Sequence, residues 1–236
     1  MSEICSWLHE RFESLPRFQY PFNPAALPEN GIYCFYEKSE VWGHGGLKPR
    51  IVRVGTHKDG NFRSRIAEHY LFADGKMKFD KTMPAPKDRS IFRKNIGRAL
   101  LNKSGDQYAD LWEVDFTTSA NRKKYRAQRD VVHEMMIERK ITHLLRETFS
   151  FRFVSVPEEQ DRLGGSGFER ALIGTCAECN SCVPSSKWLG LHSTKLKIRD
   201  SGLWLVQHLS APCLTEQQVK ILDRYVKQTE KMMSFR

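Results

Sequence analysis

No run in these 236 residues approaches the stretch of about eighteen consecutive apolar side chains that a membrane-spanning helix requires. The N-terminus carries Glu3, Glu10 and Glu13 and lacks the apolar core of a signal peptide, so the chain is expected to be intracellular and cytoplasmic. Internal repeats and low-complexity tracts are also missing. Apolar residues at 40%, aromatics at 11% and charged residues at 28% lie near the averages for globular chains, which excludes collagen-like and wholly disordered classes. Six cysteines in an intracellular chain do not form a disulfide framework by default.

Acid is what the chain is short of. Asp and Glu number 28 against 38 Lys and Arg, leaving +10, and two windows hold the whole surplus. Lys87, Arg89, Arg93, Lys94, Arg98 and Lys103 surround a single acid, Asp88, while Arg122, Lys123, Lys124, Arg126 and Arg129 have no acid among them. Concentrated basic charge of this kind is the footprint of a polyanionic partner such as DNA, because phosphate neutralisation releases counterions. The competing reading is a solvated surface.

Ile4, Trp7, Leu8 and Phe12 recur at helical spacing, which predicts an N-terminal helix over 3–15 that stops before Pro16. Two runs rich in β-branched and aromatic residues, 32–36 and 50–55, read as strands joined by a long connection containing Gly43, Gly45, Gly46 and Pro49. A helix is expected over 61–71, with Arg65 and His69 four apart on one flank, and another from Ser90, with an apolar half and a basic half. Residues 111–116 alternate as a third strand would, 122–146 reads as one long helix, and 149–156 as a fourth strand. Further helices are expected from Gly167 and over 215–232, separated by an irregular stretch over 181–205.

Gly31-Ile32-Tyr33 on the first strand and Arg53-Val54-Gly55 closing the second resemble the two motifs of the GIY-YIG nuclease family. Arg65-x-x-x-His69 follows on the next helix, and Glu169 lies in Gly167-Phe168-Glu169-Arg170-Ala171-Leu172-Ile173, so the likeness covers roughly residues 30–180. The resemblance implies an α/β (α+β) fold, a small mainly antiparallel sheet of about three strands flanked by helices. It also implies a single decorated domain over 1–236, with its core at about 30–180, an N-terminal helix over 3–15 and an extension over 181–236.

The family's activity is hydrolysis of DNA phosphodiester bonds with Mg2+ or Mn2+. That reaction needs a deprotonated water, neutralisation of charge on the phosphate and help for the leaving alkoxide. Carried over residue by residue, the resemblance implies that Glu169 holds Mg2+, Arg65 binds the scissile phosphate, Tyr33 is the general base and His69 assists proton transfer or binds phosphate. Arg53 stands where the second motif carries a tyrosine; it cannot act as a base near neutral pH but can orient or activate a nucleophile. Asn180 is the nearest match to an asparagine that often follows the glutamate, with Ser185 or Ser186 as alternatives. The partner is then duplex or branched DNA, in a restriction-type or a repair-type role; the rival is a non-catalytic nucleic-acid-binding protein on the same fold.

Each residue also has a bland reading. Tyr33 could be an ordinary strand aromatic, Arg65 and His69 a solvated flank, and Ser166-x-x-Glu169 a capping box. Cys176-x-x-Cys179-x-x-Cys182 is not explained by the family. Free, partly buried thiols are the default for it; a zinc site completed by His192 or Cys213 is the alternative.

Overall fold

The computed structural model describes residues 2–45, 47–70 and 79–234; Gly46 of the glycine-rich connection and Leu71 at the expected end of the Arg65 helix lie outside the described residues. Helix α1 (Ser2–Glu13) leads into a two-residue strand β1 (Phe18–Gln19), then β2 (Gly31–Val41) and β3 (Pro49–Thr56). Helices α2 (Phe62–Tyr70), α3 (Pro86–Arg89), α4 (Ile91–Ser104), α5 (Ala109–Glu113), α6 (Ser119–Lys124) and α7 (Val131–Thr148) precede β4 (Phe149–Ser155). Beyond it come α8 (Glu159–Arg162), α9 (Phe168–Ala177), α10 (Leu196–Ser201) and α11 (Glu216–Ser234).

The strands form one antiparallel sheet in the order β1-β4-β2-β3. This is the expected α/β architecture of a small antiparallel sheet with helical additions. The additional strand, β1, is too short to leave an alternating pattern in the sequence.

Residues paired across a sheet project to the same face, so the register sorts the side chains. Tyr33 pairs with Gly55 and Phe153, and Phe35 with Arg53 and Phe151; these lie on one face. Against them α2 packs Phe62, Ile66 and Tyr70, α4 packs Phe92, Ile96 and Ala99, and α7 packs Ile137, Ile141 and Leu145. Ile32, Cys34, Val54 and Val154 point the other way, into Leu8 and Phe12 of α1, Leu172 and Ile173 of α9, and Leu222 and Val226 of α11. β3 is one of the two edge strands, and the C-terminal extension blunts it, with Trp204 N–H donating to Val52 O at 2.8 Å.

Two expectations are corrected. Residues 111–116 form no strand, because α5 occupies 109–113 and Trp112 is buried there, donating its indole N–H to Lys94 O of α4 at 3.0 Å. The expected helix over 122–146 is broken. α6 is capped by Thr118, and Asp130 starts α7 anew by accepting the N–H groups of Val132 and His133 at 3.0 Å each.

α4 and α7 are fastened by a buried ion pair. Arg93 donates to Glu138 from Nε at 2.9 Å and from Nη2 at 2.6 Å, and further to Thr142 Oγ1 and His69 O. Both side chains are fully buried, so removing one leaves an uncompensated charge. Glu138→Ala is expected to lower the unfolding free energy by about 3–5 kcal/mol, read as a fall in the urea midpoint.

Candidate active site

The register that pairs Tyr33 with Gly55 lays the phenol ring directly over the glycine α-carbon. A Cβ at Gly55 would come within 2.4 Å of the Tyr33 hydroxyl oxygen, so only glycine leaves room for the ring. Phe35 and Phe62 meet that ring edge-on, holding it with the hydroxyl toward α2. The hydroxyl lies 3.1 Å from His69 Nε2, and His69 Nδ1 lies 2.8 Å from Ser90 Oγ, the N-cap of α4.

His69 is wholly buried, and burial, reinforced by the nearby charges of Arg65, Arg53 and Arg93, holds its pKa well below the ordinary imidazole value. A neutral ring offers one donor and one acceptor nitrogen. Moving its proton between Nδ1 and Nε2 links the phenol to Ser90 through hydrogen bonds already in place. His69 is closed off from solvent, and its two ring nitrogens face Tyr33 and Ser90.

Two guanidinium groups lie near the phenol and feel its charge. Arg53 reaches it from β3, donating Nη1–H to Trp204 O at 2.8 Å and lying over the Phe92 ring, 4.9 Å from its centroid. Its buried Nε–H has no partner among the described residues. Arg65 comes from α2 and is steered by Glu68 Oε2 at 3.0 Å and Arg89 O at 2.8 Å. Burial works against the Arg65 charge, but the Tyr33 oxygen and Glu68 outweigh it and raise its pKa.

Glu169 arrives from the other side of the sheet. It sits in the first turn of α9, and its Oε1 accepts the Thr56 N–H at 3.1 Å where β3 ends. The capping-box reading is overturned, since Gly167 is the N-cap and no side-chain cap bond forms. Burial pushes the Glu169 pKa above the ordinary carboxylate value, against the opposing pull of Thr56 N–H, Arg53, His208 and Arg65. Tyr33, Arg53, Arg65, His69 and Glu169 are therefore gathered at the end of β3.

Sequence reasoning missed four neighbours. Ser90 is recognisable as a helix start but not as the partner of His69, and the Thr56 amide leaves no sequence signal. His57, whose pKa burial and Arg65 lower, stands two residues after the second motif. His208 is brought near Glu169 by an irregular segment in which its own φ is +61°.

Other expected residues lie elsewhere. Asn180 is exposed beyond the C-terminal end of α9, more than about 10 Å along the helix from Glu169 by the rise per residue. Ser185 donates its hydroxyl to Glu40. Among the basic residues, Lys87 is buried against Asp88, Arg93 against Glu138 and Arg129 against Glu134, and Arg98 is paired with Glu113. Those four are corrected from surface charge to internal counterions. Lys94 and Arg122 are half-buried and donate to main-chain carbonyls, whereas Arg89, Lys103, Lys123, Lys124 and Arg126 are exposed. Cys176, Cys179 and Cys182 gather at the far end of α9 from Glu169.

The family model of the GIY-YIG domain matches residues 3–232, nearly the whole chain. No curated protein and no solved structure matches.

A buried neutral His69 has a signature in stability. As pH falls below about 6.5 the unfolded imidazole takes a proton that the folded one refuses, so stability declines toward acid by up to about 1.4 kcal/mol per pH unit. His69→Gln is expected to lose that part of the slope, measured by urea unfolding across the acid range; identical slopes in the two proteins would refute a neutral His69.

Proposed function

Because the chain belongs to the GIY-YIG nuclease family, we propose that it is a DNA endonuclease whose reaction centre is the cluster at the end of β3. The observation that carries this is the convergence of Tyr33, Arg53, Arg65 and Glu169, drawn from both faces of the sheet, around Gly55 and Thr56 at the end of β3. The N- and C-terminal helices pack on the same sheet, which supports treating 1–236 as one decorated domain.

The family implies a divalent cation, and the site suits one. Glu169 is a hard oxygen donor whose Oε1 is fixed by the Thr56 amide, while its Oε2 has no hydrogen bond to the described residues. Burial that disfavours the bare carboxylate is relieved by a cation. One protein carboxylate, with water and substrate oxygens in the remaining positions, is a normal arrangement for Mg2+, and Mn2+ takes the same ligands. When bound, the ion supplies Lewis acidity to the phosphate and the leaving oxygen.

The chain's own groups supply the rest. Arg65, the more exposed of the two arginines at the phenol, binds the scissile phosphate with a guanidinium already oriented by Glu68 and the Arg89 carbonyl. Tyr33 accepts the proton of the attacking water as general base and passes its own to His69 Nε2, with Ser90 accepting from Nδ1. Arg53 replaces the family's second tyrosine with fixed positive charge beside the phenol oxygen, supporting the negative charge that develops there. Exposed Arg89, Lys103, Lys123, Lys124 and Arg126 bind phosphates and so position the duplex without choosing its sequence.

Glu169→Gln is expected to reduce Mg2+-dependent nicking of supercoiled plasmid by at least about 100-fold while DNA binding persists. Discrete fragments from the wild type assign a restriction-type role, and cutting confined to branched substrates assigns a repair-type one. Salt-sensitive binding with no cleavage of any substrate would replace the catalytic reading with a binding one. Replacing Lys123, Lys124 and Arg126 by Gln is expected to flatten the dependence of log affinity on log salt by about 0.9 for each phosphate no longer neutralised; an unchanged slope in gel-shift titrations would remove that surface from the interface.

A further inference from the structure

Away from the reaction centre, three distant segments deliver thiols and an imidazole to one point. Cys5 comes from α1, His44 from the connection between β2 and β3, and Cys179 and Cys182 from the turn after α9. The ligand atoms of Cys5, His44 and Cys182 all lie within 4.8 Å of one another, and Cys179 Sγ is 3.2 Å from His44 Nε2. The Cys5, Cys179 and Cys182 side chains pack in one buried cluster. A tetrahedral ion with Zn–S of about 2.3 Å and Zn–N of about 2.0 Å places its donors roughly 3.5–3.8 Å apart, so the observed spacings need only small adjustments. All these cysteines are free thiols.

Main-chain amides face two of the sulfurs. Cys179 Sγ accepts the N–H groups of Ser181 and Cys182, and Cys182 Sγ accepts that of Gly43. Gly43 also seals the two loops together, because a Cβ there would come within 1.6 Å of Ser181 O. His9 is adjacent but committed elsewhere: Nδ1 donates to Cys5 O at 2.9 Å and Nε2 accepts the Ile51 N–H at 3.0 Å. It acts as an outer support that fixes the Cys5 main chain.

We propose that Cys5, His44, Cys179 and Cys182 form a structural zinc site that ties the N-terminal helix and the β2–β3 connection to the end of α9. Four protein donors close the tetrahedron, which distinguishes it from a catalytic zinc with an open position. His192 and Cys213, the fourth ligands considered from sequence, lie outside the cluster: the His192 carbonyl accepts from Asn102, and Cys213 meets Glu178. Cys176 touches Cys5 from the last turn of α9 but stands outside the four ligands. The assignment is independent of the nuclease reading.

The test is metal analysis of the full chain expressed with added zinc. One zinc per chain is expected, retained in Glu169→Gln and in Cys176→Ala, and accompanied by a lower Tm after chelation. Cys182→Ser and His44→Ala should each weaken zinc binding by more than about 100-fold, since even outer-shell changes cost up to that much. If those variants do not fold, cobalt(II) added to wild type stripped of metal should show the ligand-field bands of a tetrahedral thiolate site. Metal-free protein with an intact Tm, a disulfide among these cysteines in the intact mass, or iron with acid-labile sulfide would each overturn the proposal.

Discussion

The packing of the Tyr33 ring onto the bare α-carbon of Gly55 is the contact on which the arrangement of the reaction centre rests. It joins the two halves of the sequence motif across neighbouring strands and needs both residue types, an aromatic with a polar tip and a residue with no side chain. With the ring fixed, the phenol oxygen falls at the end of β3, where α2 offers Arg65 and His69 and α9 offers Glu169. Any side chain at residue 55 would move the hydroxyl and with it the partners that converge on it. The glycine is thus part of the geometry of the candidate site, although it contributes no functional group.

The basic residues show how charge counted along a sequence differs from charge presented in space. Arg93 and Arg129 come from the two windows that hold the whole positive surplus, yet each is consumed by a carboxylate supplied from α7. Lys87 is similarly enclosed between Asp88 and the Trp112 and Phe116 rings. These charges fasten α3 and α4 to the helical insertion and give no field to a ligand. What remains outside is a smaller set, mainly on and just after α6. Such internal pairing cannot be read from composition, because it depends on which side chains the fold turns inward, whether the acid is the next residue, as Asp88 is for Lys87, or 45 residues on, as Glu138 is for Arg93.

Legibility follows the range of the interactions. β2, β3, β4, α2, α4 and α9 are visible in the sequence because each carries its periodicity and its start signal locally, as Ser90 does for α4. The alternation over 111–116 misleads because Trp112 takes its place from packing against α4, a tertiary demand that a local pattern does not record. The long helix over 122–146 fails at Asp130, whose side chain caps a new helix where the apolar pattern alone suggests continuity. In the candidate site, Tyr33, Arg53, Arg65, His69 and Glu169 are legible as a family constellation. Ser90, His57 and His208 are not, since their roles depend on which segments meet. Asn180 rests on distance along the chain from Glu169, a criterion blind to the intervening helix that carries it to the opposite end.

That helix, α9, links the chemistry to the rest of the molecule. Its first turn presents Glu169 to the Thr56 amide, its middle buries Leu172 and Ile173 under the sheet, and its last turn leads into the cysteine cluster. Ten residues span only about 15 Å, so a shift at one end is felt at the other through a rigid, close-packed rod. Thr175 adds a grip on the C-terminal extension by accepting the Leu214 N–H at 2.9 Å. The carboxylate is therefore aimed by the packing of the whole helix, with no local cap to hold it. The N-terminal helix and the C-terminal extension act on the candidate site by fixing the axis on which Glu169 stands, and the extension also holds Arg53 through the Trp204 carbonyl.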